Sequence, residues 1–183
     1  SDGNIATTSF DKTVKIWNPF KAINEITLIG HDWVTSKVIQ LKNGLIVTSS
    51  WDKTLKLWDP KNDYKIKTTI LAHDDIITDI KEIRNGLLIS TSADKTIKLW
   101  NLNETVLLAN FTDLSDRVNS ISIISENKFA TGSEDNILRI WDIKDINNTN
   151  IQILKEHKDP ILFVGEIDDD ILVTGSKDNS IIF

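Results

Sequence analysis

The chain contains no cysteine and no methionine, and only three of its 183 residues are histidine. Without cysteine there is no disulfide bond and no thiolate metal site, which suits a reducing compartment. No apolar run reaches the roughly 18 residues of a membrane-spanning helix. These absences favour a soluble protein of the cytoplasm or nucleus that does not use a membrane as a partner.

Positive charge is also scarce. Lysine and arginine number 21 against 27 aspartates and glutamates, which gives a formal net charge of −6. Only three of these residues are arginines, namely Arg84, Arg117 and Arg139. Because proteins that bind nucleic acids concentrate basic side chains on one face, the composition argues against a nucleic-acid partner. The apolar share of 40% is enough for a folded core.

What the chain does contain is one pattern written five times. The repeats read ATTSFDKTVKIWN, VTSSWDKTLKLWD, ISTSADKTIKLWN, ATGSEDNILRIWD and VTGSKDNSIIF. Trp17, Trp58, Trp100 and Trp141 are spaced 41, 42 and 41 residues apart. Short runs rich in Ile, Val and Thr alternate apolar with polar residues, which predicts β-strands. Four predicted strands per repeat at this period indicate propeller blades.

The closing WD or WN dipeptides, and a His that stands 21 residues before an Asp in three repeats, make the whole chain resemble WD-repeat β-propellers. The resemblance implies an all-β fold of four-stranded antiparallel blades, incomplete, with three full blades and two partial ones. The expected units of this single domain are partial blade I (1–29), blade II (30–71), blade III (72–111), blade IV (112–155) and partial blade V (156–183).

Both ends of the repeat pattern are cut. The tryptophan expected six residues after Asp178 would follow Phe183, and the histidine expected 21 residues before Asp11 would precede the first residue. An unclosed propeller leaves apolar faces and strand edges uncovered. We therefore expect the chain to form part of a larger assembly, a propeller of about seven blades by its resemblance to the family.

The resemblance also implies a hydrogen-bonded tetrad in each blade, made of a His, a hydroxyl on the second strand, an Asp and a Trp. These residues would be structural, so we expect no catalytic residue, no metal and no cofactor. Since residues two apart on a strand face the same way, the sequence does not decide which of two hydroxyls takes part. The predicted tetrad residues are His31, Thr48 or Ser50, Asp52 and Trp58; His73, Ser90 or Ser92, Asp94 and Trp100; Asp135 and Trp141; and His157 and Asp178.

Blade IV departs from this pattern. The position 21 residues before Asp135 is Leu114, which offers no polar group to the tetrad. We expect the link between Asp135 and the second-strand hydroxyl to be open, rewired or hydrated. On this interpretation, replacing Leu114 by His is neutral or stabilising, because Asp135 and Trp141 are already in place.

Two tryptophans, Trp33 and Trp51, have no place in the repeat. Trp33 lies two residues after His31, and Trp51 lies one residue before Asp52, so the predicted tetrad brings both to one end of blade II. We call this end of the blades, which carries the turn aspartates, the top face. Large aromatic side chains at a surface are typical anchors of protein interfaces. The predicted partner-binding residues are Trp33, Trp51, Phe10, Asp75, Ala93, Arg117 and Glu134.

The sequence therefore predicts a non-catalytic scaffold that binds other proteins or peptides on the top face. One alternative is the substrate-receptor propeller of a ubiquitin ligase, for which a phosphorylated partner would require an arginine cluster. Arg117 alone is suitably placed. Another is a sensor or regulatory propeller attached to an enzyme or ATPase domain. The acidic run 168–170 is predicted to be a solvated loop and not a cation site.

Overall fold

The computed structural model describes residues 3–112, 114–144, 150–168 and 171–183. In these residues the chain forms eighteen strands grouped in five antiparallel sheets. A single turn of 3₁₀ helix, Pro60–Asn62, is the helical segment among them. The predicted acidic run at 168–170 extends beyond the described residues, and its role stays a prediction.

The strands of each sheet pair in chain order, because each two consecutive strands are joined by a short connection. We keep the names blade I to blade V for the five sheets. Blade I contains β1 (Ile5–Thr8), β2 (Val14–Asn18) and β3 (Ile23–Leu28). Blade II contains β4 (Thr35–Gln40), β5 (Ile46–Ser50), β6 (Thr54–Asp59) and β7 (Lys65–Leu71). Blade III contains β8 (Ile77–Arg84), β9 (Leu87–Ser92), β10 (Ile97–Asn101) and β11 (Val106–Phe111). Blade IV contains β12 (Val118–Ser125), β13 (Lys128–Ser133), β14 (Leu138–Asp142) and β15 (Asn150–Leu154). Blade V contains β16 (Ile161–Asp168), β17 (Ile171–Ser176) and β18 (Ile181–Ile182).

The predicted fold class is confirmed. The sheets are antiparallel, those of blades II, III and IV have four strands each, and the five sheets do not close into a ring. Blade V carries exposed apolar side chains, among them Ile171, Ile181 and Phe183.

The core lies between successive sheets, where the apolar faces of the strands meet. Trp58 of blade II packs with Val14, Ile16 and Leu28 of blade I. Trp100 and Trp141 take the same place in blades III and IV, each among side chains of the preceding blade. Each Å² of apolar surface that is removed from water stabilises the folded state by about 25 cal/mol. Trp58, Trp100 and Trp141 therefore each stabilise the contact of one blade with the blade before it.

Polar side chains also connect neighbouring blades, and the sequence pattern did not predict them. Asp79 on β8 is buried, and its Oδ2 accepts a hydrogen bond from the backbone N–H of Ile121 in blade IV at 3.0 Å. Burial raises the pKa of Asp79, although Lys37 Nζ, 3.7 Å from its Oδ1, acts in the opposite direction. In the next blade Ser120 Oγ accepts from the N–H of Val164 at 3.1 Å.

Candidate functional site

The tetrad of blade II has the hydrogen bonds that the resemblance implies. His31 Nδ1 lies 2.8 Å from Asp52 Oδ2, and because a carboxylate only accepts, Nδ1 carries the hydrogen. His31 Nε2 lies 2.7 Å from Thr48 Oγ1, and Trp58 Nε1 donates to the same oxygen at 2.9 Å. The hydroxyl that the sequence left open is therefore Thr48. Its buried oxygen satisfies two neighbours at once.

Ser50 has a different task from Thr48, although both side chains are buried on the same strand. Its hydroxyl donates to the carbonyl of Trp33 at 3.3 Å and accepts from the N–H of Asp52 at 3.0 Å. It therefore shapes the turn that carries Trp51.

Blade III repeats this arrangement. His73 Nδ1 lies 2.9 Å from Asp94 Oδ2, and Nε2 lies 2.7 Å from Ser90 Oγ. Trp100 Nε1 donates to Ser90 at 2.9 Å. Ser92 shapes the turn, as Ser50 does, by accepting from the N–H of Asp94 at 3.0 Å. In blade III the tetrad hydroxyl is thus Ser90.

Blade V contains the first part of a tetrad. His157 Nδ1 lies 3.0 Å from Asp178 Oδ2, and Nε2 lies 2.7 Å from Thr174 Oγ1. Hydrogen bonds from Ser180 and from the backbone of Lys158, among others, hold the pKa of Asp178 below its usual range.

The aspartates of blades II and III also have perturbed acidities. Burial disfavours the charged form of Asp52, but hydrogen bonds from His31 and Thr54 outweigh burial and hold the pKa of Asp52 below its usual range. For Asp94, burial is likewise outweighed by hydrogen bonds from His73 and Thr96, so that its pKa is lowered too. The tetrads therefore favour charged carboxylates.

We expect acid to destabilise the fold below the ordinary pKa of an aspartate, about 4. The folded pKa of Asp94 is lowered, so its contribution to stability is fully present above the unfolded pKa and is lost as the pH falls toward the folded one. The measurement is the urea midpoint of wild type and of Asp94→Asn between about pH 7 and about pH 3. The variant should be less stable at neutral pH and lose less on acidification. An equal loss in both proteins would contradict this assignment.

Blade IV is rewired. Arg139 donates from Nη1 and Nη2 to the two carboxylate oxygens of Asp135, at 3.1 and 2.7 Å, and both side chains are mostly buried. Trp141 Nε1 donates to Thr131 Oγ1 at 2.8 Å. Leu114 is 7% exposed and packs in the apolar cluster between blades III and IV. Of the three arrangements expected from the sequence, open, rewired or hydrated, the structure has the second.

The structure contradicts the reason for expecting Leu114→His to be neutral or stabilising. That expectation required an Asp135 without a partner, whereas Arg139 already forms a bidentate ion pair with that carboxylate. A histidine at position 114 would also replace a buried apolar side chain by a polar one, which costs free energy unless it is hydrogen-bonded. We now expect the substitution to destabilise the protein.

The top face of blades I and II carries a cluster of three aromatic side chains, Phe10, Trp33 and Trp51, which we call the aromatic cluster. The ring centroids of Phe10 and Trp51 are 5.6 Å apart, and those of Trp33 and Trp51 are 6.2 Å apart, both edge to face. Phe10 is 76% exposed and Trp33 is 55% exposed, whereas Trp51 between them is half-buried. The structure thus brings together three of the seven residues predicted to bind a partner.

The backbone places Trp51 and its counterparts in equivalent positions around the top face. In four blades the residue before the turn aspartate donates its N–H to a carbonyl just before the first strand. These pairs are Trp51 to Val34, Ala93 to Ile76, Glu134 to Arg117 and Lys177 to Pro160, with distances of 2.9, 3.0, 2.9 and 3.0 Å.

The other four predicted residues lie on blades III and IV. Asp75 is exposed, and its carboxylate accepts from the N–H of Ile76 at 2.7 Å. Glu134 is half-buried and pairs with Lys177 of blade V at 3.2 Å. Ala93 and Arg117 are half-buried. The ion pair of Glu134 with Lys177 therefore connects blades IV and V, as the contact of Phe10 with Trp51 connects blades I and II.

The described residues contain no candidate cluster of metal ligands. No group of three or more His, Cys, Asp or Glu among them lies in an arrangement that could hold a metal ion. Nor is any helix in these ranges long and apolar enough to cross a membrane.

The chain resembles known proteins along most of its length. The family model described as WD domain, G-beta repeat matches residues 1–18, 24–59, 64–101 and 106–142. The crystal structure of the WD40 beta propeller domain of Doa1 matches with a TM-score of 0.86 and 25% sequence identity. That match covers 99% of this chain and 60% of the Doa1 chain, so the chain spans about 60% of its relative's length. A search of curated proteins found no match. In all, 1257 chains of solved structures match, so the fold alone does not identify a partner.

Proposed function

Because this chain belongs to the WD40 repeat family, we propose that it is a non-catalytic interaction scaffold that binds polypeptide partners through the aromatic cluster on its top face. The observation that carries the proposal is the exposure of Phe10 and Trp33 beside Trp51. A fold shared by many proteins does not determine a function, whereas an exposed aromatic site can bind a partner.

The aromatic cluster differs from the repeat tryptophans in its polar contacts. Trp58, Trp100 and Trp141 each donate the indole N–H to a buried hydroxyl. Within the described ranges, the indole N–H groups of Trp33 and Trp51 have no acceptor on the protein. A tryptophan with one apolar face and one free donor at a surface is suited to contact a partner.

The geometry also favours binding energetically. An aromatic side chain buries about 150–250 Å² when it is covered, and it loses little conformational freedom because only two side-chain torsions are fixed. The edge-to-face contacts with Trp51 hold Phe10 and Trp33 in place before a partner arrives. The sheets below supply a rigid support, so that the cluster is preorganised for binding.

The proposal is tested by capture of partners from an extract of the native cells. Trp51→Ala and Trp33→Ala should each weaken binding by about 2 kcal/mol or more, as expected of an interface hot spot, and leave the fold nearly intact. Phe20→Ala is the matched control, because Phe20 is 85% exposed in the turn after β2, at the opposite end of the blade. A set of captured proteins that is unchanged in folded Trp51→Ala and Trp33→Ala variants would refute the proposal.

A further inference from the structure

Two hairpins at the end of the blades opposite the top face contain an asparagine followed by a glycine. Asn43 and Gly44 lie between β4 and β5 of blade II, and Asn85 and Gly86 lie between β8 and β9 of blade III. The surrounding sequences are closely similar, KNGL and RNGL. Asparagine is labile before glycine, because glycine has no Cβ to hinder attack of its backbone nitrogen on the preceding side-chain amide. The fold surrounds the two pairs differently.

The environment of Asn43 favours this attack. Its side chain is exposed, and its Oδ1 accepts a hydrogen bond from the N–H of Leu45 at 3.1 Å. A donor at this oxygen stabilises the negative charge that develops there when the amide carbon is attacked. The N–H of Gly44 donates to a neutral acceptor, the carbonyl of Leu41, at 2.8 Å. A Cβ added at Gly44 would meet no described heavy atom within 4 Å, so the turn has room to move.

The pair in blade III is held in place. The N–H of Gly86 donates to Oε1 of Glu82 at 2.7 Å, and hydrogen bonds to a carboxylate are stronger than those to a neutral oxygen. Gly86 is also buried, and Nδ2 of Asn103 would lie 2.6 Å from a Cβ added there. The nitrogen that would attack the side chain of Asn85 is therefore bound to a carboxylate and enclosed.

We propose that Asn43 is a site of spontaneous deamidation in the folded protein, and that Glu82 protects Asn85 from the same reaction. The backbone nitrogen of Gly44 forms a bond to Cγ of Asn43. Its proton passes through solvent to the departing amide nitrogen, which leaves as ammonia. Water then opens the succinimide ring at one of its two carbonyls and gives aspartate or isoaspartate, with no change of oxidation state.

The modification adds a negative charge next to a contact between two blades. Oε2 of Glu82 in blade III accepts the N–H of Lys42 in blade II at 2.9 Å, directly before Asn43. A carboxylate at position 43 brings a like charge into the hairpin that Glu82 contacts, and like charges repel. Isoaspartate also lengthens the main chain of the hairpin by one carbon. We therefore expect the deamidated protein to have a lower urea midpoint.

The test follows both asparagines in one protein. Folded wild type is incubated in mildly alkaline buffer, and its peptides are quantified over time by mass spectrometry with fragmentation that distinguishes isoaspartate from aspartate. The same protein unfolded in urea is the matched control, because KNGL and RNGL differ there in one residue and should react at nearly equal rates. Asn127, which precedes Lys128, is the slow internal reference.

We expect Asn43 to react about tenfold or more faster than Asn85 in the folded protein, and faster than Asn127. In Glu82→Ala, Asn85 should react faster than in wild type, and in Glu82→Gln, which keeps a neutral acceptor, the increase should be smaller. Equal rates at Asn43 and Asn85 in the folded wild type would overturn the proposal. It would also be overturned if Asn43 reacts no faster than Asn127, or if Asn85 stays as slow in folded Glu82→Ala as in wild type.

Discussion

Trp58→Ala is expected to destabilise the protein by about 3–5 kcal/mol, because it removes a large side chain from the core between blades I and II. The indole is 3% exposed and packs against Val14, Ile16 and Leu28. The substitution leaves a cavity there, and Thr48 Oγ1 loses the N–H that it accepts at 2.9 Å. The loss is read from the midpoints of urea or thermal unfolding.

Trp51→Ala provides the matched control for this prediction, since it removes the same side chain seven positions earlier. Trp51 is half-buried and contacts only the exposed rings of Phe10 and Trp33 among the aromatic residues. We expect a cost of about 1 kcal/mol, close to that of an average substitution. Equal losses in the two variants would mean that Trp51 also belongs to the core.

Arg139→Ala is expected to cost about 3–5 kcal/mol, because removing one partner of a buried ion pair leaves the other charge uncompensated. The two side chains are only 7% and 9% exposed, and the pair is bidentate, with distances of 3.1 and 2.7 Å. The loss of stability should be smaller in the double variant Arg139→Ala with Asp135→Asn than in Arg139→Ala alone. The neutral amide can stay buried at a lower cost than an unpaired carboxylate. A double variant as unstable as the sum of the single ones would show that the two residues act independently.

The ion pair of Arg139 with Asp135 also determines how Leu114→His affects stability. Leu114→His alone should destabilise the protein by about 2 kcal/mol or more, as expected when a buried leucine is lost. In Leu114→His with Arg139→Lys, Asp135 is released from the arginine and can bind the new histidine, as Asp52 binds His31. We expect the combined loss to be about 1 kcal/mol smaller than the sum of the two separate losses. If the two losses of stability are fully additive, a histidine at position 114 does not replace Arg139 as the partner of Asp135.

The sequence predicted the parts of the fold that repeat. The spacing of Trp58, Trp100 and Trp141 identified the blades because each of these tryptophans meets the same needs, a hydroxyl for its N–H and an apolar face of the preceding blade. The exposed position of the aromatic cluster also followed from the repeat, since Trp33 and Trp51 have no counterpart in it. Whether that cluster binds a partner stays a prediction.

The sequence analysis left two details of the tetrads open. Thr48 and Ser50 face the same way, and only the strand register brings Thr48 to His31 and Trp58. The ion pair of blade IV did leave a signal, because Arg139 stands where blades II and III have a lysine, in the same blade that lacks the histidine. The arginine and the missing histidine, considered together, would have predicted that Asp135 binds Arg139 in blade IV.

Asp79 was missed for a different reason. The equivalent residues of the neighbouring blades are Lys37 and Ser120. Because the residue type at this position differs from blade to blade, the repeat pattern does not predict a role for it. Its role emerges only in three dimensions, where its carboxylate receives the N–H of Ile121 in the next blade. A buried charge of this kind depends on neighbours far away in the sequence.

Asp79 and Ser120 each accept a hydrogen bond from the following blade. These bonds couple the stability of each blade to that of its neighbours. Each blade is stabilised by its own strands and by its interfaces with nearest neighbours, so opening of one interface weakens the next along the row. Strand β12 is hydrogen-bonded to blades III and V, and β8 contacts blade IV through this bond of Asp79 and blade II through the ion pair of Asp79 with Lys37. The amide hydrogens of these two strands should therefore exchange with solvent more slowly than those of β1. The gradient of protection would then follow the order of the blades and not the depth of burial of single residues.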